Sequence, residues 1–238
     1  MSYLSKAADL LRQLEHSGDR RGISTVIAEK LKAGGIIHLF GCGHSSLLAQ
    51  EPYYRAGGLV PVRPLVIEPL LLSQGAVQSS IAEKTNGFVH DYLAGEDIRE
   101  DDVLIVISTS GRNPAPVDAA LFGQEQGTYT IGLLSMEYSN GQPSRHNSGK
   151  RLEDVVEAVI DTQVPVGDAV LNEEGIAQFF APLSSVAGTA LLQDLLAKTI
   201  VSLKDMGEEP PIFMSGNLDG VEEHNRRLVE RYKDRIEF

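Results

Sequence analysis

Cysteine and tryptophan are almost absent from this sequence of 238 residues. It contains a single cysteine, Cys42, and no tryptophan. A lone cysteine cannot form an internal disulfide, which excludes the framework on which many small secreted domains depend. The first six residues, MSYLSK, also lack the apolar core of a secretion signal. We therefore expect a cytoplasmic protein.

Positive charge is also scarce. The chain has 21 lysine and arginine residues against 33 aspartate and glutamate residues, a formal net charge of -12. This balance repels nucleic acid and anionic membrane surfaces, so neither is expected as a partner. The most basic segment, residues 145–150, is interpreted as a solvated loop, with additional charge for an anionic ligand or contact with a neighbouring chain as the alternatives. Such a ligand would otherwise depend on backbone N–H groups and hydroxyls.

A long uninterrupted apolar run is missing as well. The longest apolar tract, residues 185–203, is broken by Gln193, Asp194 and Lys198. It predicts a buried or interface helix and not a membrane span. Because its apolar positions extend around much of the helix, we expect a homo-oligomer, most simply a dimer.

Metal-ligand spacing is not found among the six histidines, which show no His-x-x-x-His pattern, and Cys-x-x-Cys cannot occur. No metal site is predicted. The dinucleotide pattern Gly-x-Gly-x-x-Gly also fails, because Ser46 occupies the position of the third glycine. No cofactor is therefore expected.

Short apolar runs alternate with segments of helical length. The runs cover residues 36–40, 59–65, 103–107, 129–134 and 155–160. Two helices are predicted before residue 33, a long helix at about 183–206 and a charged helix at 221–231. Strands separated by helices indicate βαβ units and a parallel sheet covered on both faces. We predict an α/β fold, a doubly wound three-layer α/β/α sandwich, as one domain over residues 1–238 with an N-terminal helical hairpin and C-terminal helices.

Two loops that follow predicted strands have the composition of a phosphate site. The first, residues 41–46, is called the glycine loop, and the second, residues 108–113, is called the hydroxyl loop. Both would leave the carboxyl ends of strands, where ligands bind in open α/β sheets. Serines before a helix can also be simple caps. The predicted substrate and phosphate ligands are Gly41, Gly43, Ser45 and Ser46 in the first loop, and Ser108, Thr109, Ser110, Gly111, Arg112 and Asn113 in the second.

The Gly41-x-Gly43-x-Ser45 and Ser108-x-Ser110-Gly111 patterns resemble those of the SIS (sugar isomerase) family. Residues 54–59, 144–150 and 219–225 extend the resemblance to stand-alone members similar to phosphoheptose isomerase. The resemblance implies a five-stranded, mostly parallel sheet and a phosphosugar site at the strand ends. It also implies dimers or tetramers whose sites lie near the subunit interface. Asn113 departs from the family pattern, which has serine or threonine at this position.

Four residues are candidates for proton transfer between sugar carbons or for ring opening, which need an acid and a base. Glu51, in the helix after the glycine loop, corresponds to the catalytic glutamate of phosphoheptose isomerases by resemblance. His44 lies within the glycine loop, and a neutral histidine can both donate and accept a proton. By resemblance, His224 could assist ring opening from the C-terminal region, and Glu83 matches an acid of the etherase branch.

The leading hypothesis is a phosphosugar-binding enzyme that interconverts an aldose and a ketose phosphate. An etherase-like lyase acting on an N-acetylated sugar phosphate is the second hypothesis, and it depends on Glu83. The third is a non-catalytic sensor of sugar phosphates that signals to a partner protein.

Overall fold

The computed structural model describes residues 2–238 as a parallel sheet with helices on both faces. The elements in chain order are α1 (Tyr3–Glu15), α2 (Arg20–Lys32), β1 (Ile37–Gly41), α3 (His44–Gln50), β2 (Val62–Pro64), α4 (Ala76–Glu83), α5 (His90–Ala94), β3 (Val103–Ile107), α6 (Pro114–Glu125), β4 (Tyr129–Leu134), α7 (Met136–Asn140), β5 (Ala158–Asp161), α8 (Ser184–Asp205) and α9 (Glu222–Tyr232). Short 3₁₀ turns lie at Glu68–Leu70, Leu72–Gln74 and Leu152–Asp154.

The sheet has five strands in the order β2-β1-β3-β4-β5, and every pairing is parallel. The predicted α/β fold with a doubly wound, mostly parallel five-stranded sheet is confirmed. β3, with the sequence VLIVI, is buried along its whole length, as expected for a central strand covered on both faces.

The strand order reverses at β1. β2 lies on one side of β1 and β3 on the other, so the connections from β1 and β3 diverge. Gly41 pairs with Ile107 across the two strands, and therefore the glycine loop and the hydroxyl loop start side by side. Divergent connections of this kind open a crevice outside the carboxyl ends of the strands.

Helices α1, α2, α3 and α8 cover one face of the sheet, and α4, α5 and α6 cover the other. Helices α1 and α2 confirm the two N-terminal helices expected from the sequence. Asp19 caps α2 by accepting a hydrogen bond from the N–H of Gly22 at 2.9 Å. Gly207, with φ of 81°, ends α8 almost where the sequence predicts.

α8 is long and apolar enough to span a membrane by length and composition. In the structure it lies across the sheet against α2, with Leu191, Leu195 and Leu196 buried. Helices α1, α2 and α3 cover one side of α8, so it exposes less apolar surface than we expected. The homo-oligomer expected from the sequence stays a prediction.

Strand boundaries differ from the prediction at both edges of the sheet. The run at 59–65 forms a strand only over Val62–Pro64, because Pro61 and Pro64 have no N–H group with which to extend a ladder. The run at 155–160 pairs only from Ala158, after the 3₁₀ turn at Leu152–Asp154.

A buried ionic cluster lies at the opposite end of the strands from the crevice. Asp102 accepts hydrogen bonds from the N–H groups of Ile36 and Arg99, each at 2.8 Å, and lies 3.1 Å from Nε2 of His38. Arg235, near the C-terminus, donates to the same carboxylate at 2.7 Å. Asp102 therefore ties β1, β3 and the C-terminal segment together.

Candidate functional site

A cavity of about 450 Å³ occupies the crevice between the glycine loop and the hydroxyl loop. Both loops contribute to its wall, and α4, α7 and the segment before α8 complete it. The lining residues are Cys42, Gly43, His44, Ser45, Leu72, Ala76, Ser79, Ser80, Glu83, Ser108, Thr109, Ser110, Tyr138 and Asp168.

The glycine loop lets α3 begin immediately beside the sheet. A Cβ atom on Gly41 would lie 2.5 Å from the carbonyl oxygen of Ser45, so only glycine permits this close approach. Gly43 has φ of 55°, and its carbonyl accepts a hydrogen bond of 2.7 Å from Oγ of Ser46. Gly41 and Ser46 therefore support the loop, whereas Gly43, His44 and Ser45 line the cavity.

The backbone of the hydroxyl loop is held by its neighbours. The N–H of Ser108 donates to Leu133, and the carbonyls of Thr109 and Gly111 accept from Ser135 and Leu152 at 3.0 and 2.8 Å. Gly111 has φ of 60°, and a Cβ atom there would lie 2.7 Å from Cδ1 of Leu134. The loop thus presents Ser108, Thr109 and Ser110 to the cavity on a fixed backbone.

Two prolines change how α6 can contribute to an anion site. α6 begins at Pro114, and Pro116 lies in the same turn. Proline has no N–H group, so the first turn of α6 offers fewer donors than an ordinary helix N-terminus. A phosphate at this point would have to depend mainly on the hydroxyls and backbone N–H groups of the hydroxyl loop itself.

Glu83 is an acidic residue in the wall of the cavity. It ends α4, lines the cavity and accepts a hydrogen bond of 2.8 Å from Nδ2 of Asn113. Burial raises the pKa of the Cys42 thiol well above its usual value, and the charge of Glu83 raises it further. Cys42 is therefore a neutral thiol in the wall of the cavity, and Glu83 is an oriented carboxylate beside it.

His44 also lines the cavity, at the first position of α3. It also lines a small adjoining cavity of about 20 Å³, together with Ser45 and Thr109. The structure therefore places the imidazole of His44, the carboxylate of Glu83 and four loop hydroxyls around one space.

Glu51 lies outside this cavity. It follows the end of α3, forms an ion pair with Arg55 and accepts a hydrogen bond of 2.6 Å from Nε2 of Gln193. It lies seven positions after His44, which places the two on the same side of the helix but about 10 Å apart along its axis.

His224 also lies away from the cavity, in α9. Its Nε2 is 2.9 Å from the carbonyl oxygen of Ile212, and it faces a separate cavity of about 200 Å³ near Pro210 and Arg227. Of the four catalytic candidates, the structure thus brings His44 and Glu83 together and leaves Glu51 and His224 elsewhere in the chain.

Two predicted phosphate ligands contact other residues. Arg112 donates to the carbonyl of Pro143 and to the side chain of Gln142. Asn113, at the start of α6, donates to Glu83 and accepts a hydrogen bond from Arg145. The amide of Asn113 therefore positions the carboxylate and links it to Arg145.

Sequence reasoning did not identify Asp168, which has φ of 54° and lines the cavity. Its carboxylate accepts hydrogen bonds from the N–H groups of Leu183 and Ser184 at 2.9 and 2.7 Å. Asp168 thus caps α8 across a loop of more than a dozen residues, a contact that no local spacing could reveal. Tyr138 was also missed, although Ser135 marks the start of the short helix α7 by accepting a hydrogen bond from the N–H of Tyr138.

Possible metal ligands do not converge anywhere in residues 2–238, where no group of three or more His, Cys, Asp or Glu side chains could hold an ion.

Comparisons with known proteins agree with this architecture. The family model described as SIS domain matches residues 2–135, which include α1 to β4 and both loops. The protein therefore belongs to the SIS domain family. Its UPF0309 relative in Geobacillus thermodenitrificans is 48% identical over 236 residues, covering 98% of this chain and 95% of the relative. A UPF0309 relative in Halalkalibacterium halodurans, BH0227, is 48% identical over 237 residues, covering 99% and 95%.

A phosphoheptose isomerase from Francisella tularensis has a similar fold. It superposes with a TM-score of 0.54 at 14% identity, covering 83% of this chain and 94% of the isomerase. This similarity supports the SIS fold.

Proposed function

We propose that this protein binds a sugar phosphate in the crevice cavity and interconverts its aldose and ketose forms. The observation that carries the proposal is the meeting of the hydroxyl loop, Glu83 and His44 around one cavity at the reversal of the strand order. SIS membership and the similarity to a phosphoheptose isomerase support the same substrate class.

The hydroxyl loop would hold the phosphate. Ser108, Thr109 and Ser110 offer hydroxyl donors on a fixed backbone, and donors that need no reorganisation bind a dianion most effectively. Such a site requires no lysine, which suits a protein with an excess of acidic residues.

Glu83 would act as the base, and His44 would assist ring opening. In aldose/ketose isomerisation, the base removes the proton from the carbon next to the carbonyl and returns it to the neighbouring carbon. Asn113 donates to Glu83 at 2.8 Å, and this hydrogen bond would hold the carboxylate in place for proton transfer. We prefer Glu83 to Glu51 because Glu51 is engaged with Arg55 and Gln193 outside the cavity.

An etherase-like lyase fits the cavity less well. That reaction needs two available carboxylates, and the second carboxylate in the wall belongs to Asp168. Asp168 is occupied by the N–H groups of Leu183 and Ser184 and by the hydroxyl of Ser184. The cavity therefore offers one carboxylate for chemistry, as the isomerase needs.

The test is proton exchange in deuterated water, followed by NMR over a panel of aldose and ketose phosphates. Glu83→Gln removes basicity but keeps shape, so deuterium entry next to the carbonyl should fall about 100-fold or more, with little change in affinity. Glu51→Gln is the matched control and should exchange like the parent. Loss of exchange in Glu51→Gln, with normal exchange in Glu83→Gln, would identify Glu51 as the base. Binding without exchange by the parent protein would favour the sensor.

A further inference from the structure

Three arginines, one in the hydroxyl loop and two from the segment that follows α7, gather without a carboxylate partner among residues 2–238. We call Arg112, Arg145 and Arg151 the arginine patch. Their side chains bond only to neutral acceptors. Arg112 donates to the carbonyl of Pro143 at 2.9 Å and to Oε1 of Gln142 at 3.2 Å. Arg151 donates to the carbonyl of Gln142, and Arg145 to Oδ1 of Asn113, each at 3.2 Å.

Arg112 lies near enough to Arg145 and Arg151 for their charges to act on it. Partial burial of Arg112 lowers its pKa, and the charges of Arg145 and Arg151 lower it further. Carboxylates are near in sequence but bond elsewhere. Glu153 accepts from Oγ of Ser139 at 2.6 Å, and Asp154 accepts from the backbone N–H of Arg151 at 2.8 Å. Uncompensated like charges in an acidic protein favour an anion that lies between them.

The loop that carries the patch has a fixed conformation. Nε2 of His146 lies 2.8 Å from Oδ1 of Asp118 in α6, and its Nδ1 lies 2.6 Å from Oγ of Ser148. The N–H of Asn147 donates to Asn86 at 2.8 Å. These contacts order the loop before any anion binds. The loop therefore loses little conformational entropy when an anion binds to the arginines.

The patch adjoins the cavity through Asn113. The same amide accepts from Arg145 at 3.2 Å and donates to Glu83, a cavity residue, at 2.8 Å. Arg112 directly follows Gly111 of the hydroxyl loop. A ligand held by the hydroxyl loop therefore has the arginine patch as its neighbour.

We propose that the arginine patch binds a second anionic group, a phosphate or a carboxylate, beside the phosphate held by the hydroxyl loop. The proposal rests on the proposed function for the first phosphate. The second group belongs either to the same sugar, which makes the substrate a doubly anionic sugar phosphate, or to a separate small anion that binds next to it.

Titration calorimetry at constant ionic strength tests the patch with four probes: glucose 6-phosphate, 6-phosphogluconate, glucose 1,6-bisphosphate and inorganic phosphate. The proteins are the parent and the double variant Arg145→Gln/Arg151→Gln. The control is Arg227→Gln/Arg231→Gln, which removes two positive charges from α9. For a second group on the same sugar, the parent and the control should bind a doubly anionic probe about tenfold or more tighter than glucose 6-phosphate. The patch variant should lose this preference and keep its affinity for glucose 6-phosphate.

A separate anion gives a different result. Inorganic phosphate should then saturably raise the affinity of the parent for glucose 6-phosphate and have no such effect on the patch variant. Arg145→Lys/Arg151→Lys keeps both positive charges and should retain part of either effect. It therefore distinguishes loss of charge from a folding defect in the glutamine variant.

The proposed anion site is refuted if the parent shows neither the preference for doubly anionic sugars nor the effect of inorganic phosphate. It is also refuted if the patch variant shows the same effect as the parent. Failure of the proposed function is a separate outcome. Ser108→Ala/Ser110→Ala should weaken the binding of singly and doubly anionic sugars alike. If the parent binds no sugar phosphate, inorganic pyrophosphate becomes the probe of the patch. The proposal then requires that pyrophosphate binds the parent more tightly than the patch variant.

Discussion

At the scale of one residue, Asp102 is a buried carboxylate whose charge is stabilised by hydrogen bonds. Its carboxylate is fully buried and accepts from two backbone N–H groups, His38 and Arg235. Burial alone would raise its pKa, but the hydrogen bonds from His38, Ile36 and Arg99 outweigh burial and hold the pKa below its usual value. The folded state therefore favours the ionised form.

We predict that Asp102→Ala lowers the free energy of unfolding by about 3 to 5 kcal/mol, because Arg235 and His38 lose their shared partner. Urea unfolding at pH 7 measures this change, and Asp101→Ala, an exposed neighbour, is the control. The pKa of Asp102 is lower in the folded than in the unfolded state, so its ionisation adds stability above about pH 4. That stability is lost as the pH falls through the folded-state pKa, and the gap between parent and variant should narrow there. A gap that does not change with pH would contradict the argument.

The sequence identified the chemical character of the cavity residues better than their positions. His44 and the serines of the two loops were found because glycine and hydroxyl residues directly follow apolar strands. Glu51 was expected at the sugar but lies outside the cavity. It follows the end of α3, and seven positions along a helix carry a side chain about 10 Å from the start. Asp168 was not found, because its partners Leu183 and Ser184 are distant in sequence. Local pattern predicts strands and the loops after them, but it does not predict which loops meet.

At the scale of elements, the site depends on how β3 connects to α6. The connection is tight, since Gly111 has φ of 60° and lies against Leu134 of β4 and Ser139 of α7. A side chain at this position would push the hydroxyl loop away from the sheet. The geometry of the loop is thus set by the packing of three elements and not by its own sequence alone.

Gly111→Ala should lower both the free energy of unfolding and the affinity for glucose 6-phosphate. A left-handed alanine costs about 1 kcal/mol, and the contact with Cδ1 of Leu134 adds to it. Gly207→Ala is the matched control, because Gly207 also has a positive φ but has no atom within 4 Å of an added Cβ. Thermal unfolding and calorimetry of both variants measure the two effects. Equal destabilisation by the two substitutions would show that the contact with Leu134 has no effect.

At the scale of the whole molecule, the apolar surface beside the cavity is informative. Val77 and Ile81, one turn apart on α4, are 72% and 54% exposed. The same helix contributes Ala76, Ser80 and Glu83 to the cavity. We therefore retain the expectation of a homo-oligomer, with α4 in place of α8 as the element that a second copy of the chain would cover.

Light scattering at micromolar concentration should give the mass of a dimer or a larger assembly. Val77→Asp/Ile81→Asp should shift the mass toward the monomer, because a charge inside an apolar interface is not compensated. Val201→Asp on α8 introduces a charge at a side chain that is 54% exposed and should leave the mass unchanged. A monomeric parent protein would refute the expectation.

The reversal of strand order at β1 also has a consequence for how the chain acquires its binding ability. The cavity takes its wall from residues 42–45, 72–83, 108–110, 138 and 168. No stretch of the chain shorter than residues 42–168 therefore contains the complete wall. No fragment that has paired only neighbouring strands holds a complete site, so binding should arise together with the global fold. A ligand that recognises only the completed cavity stabilises the entire chain by RT ln(1 + [L]/Kd). Amide protons far from the cavity, including those of β1 and β3, should then exchange more slowly when ligand is present.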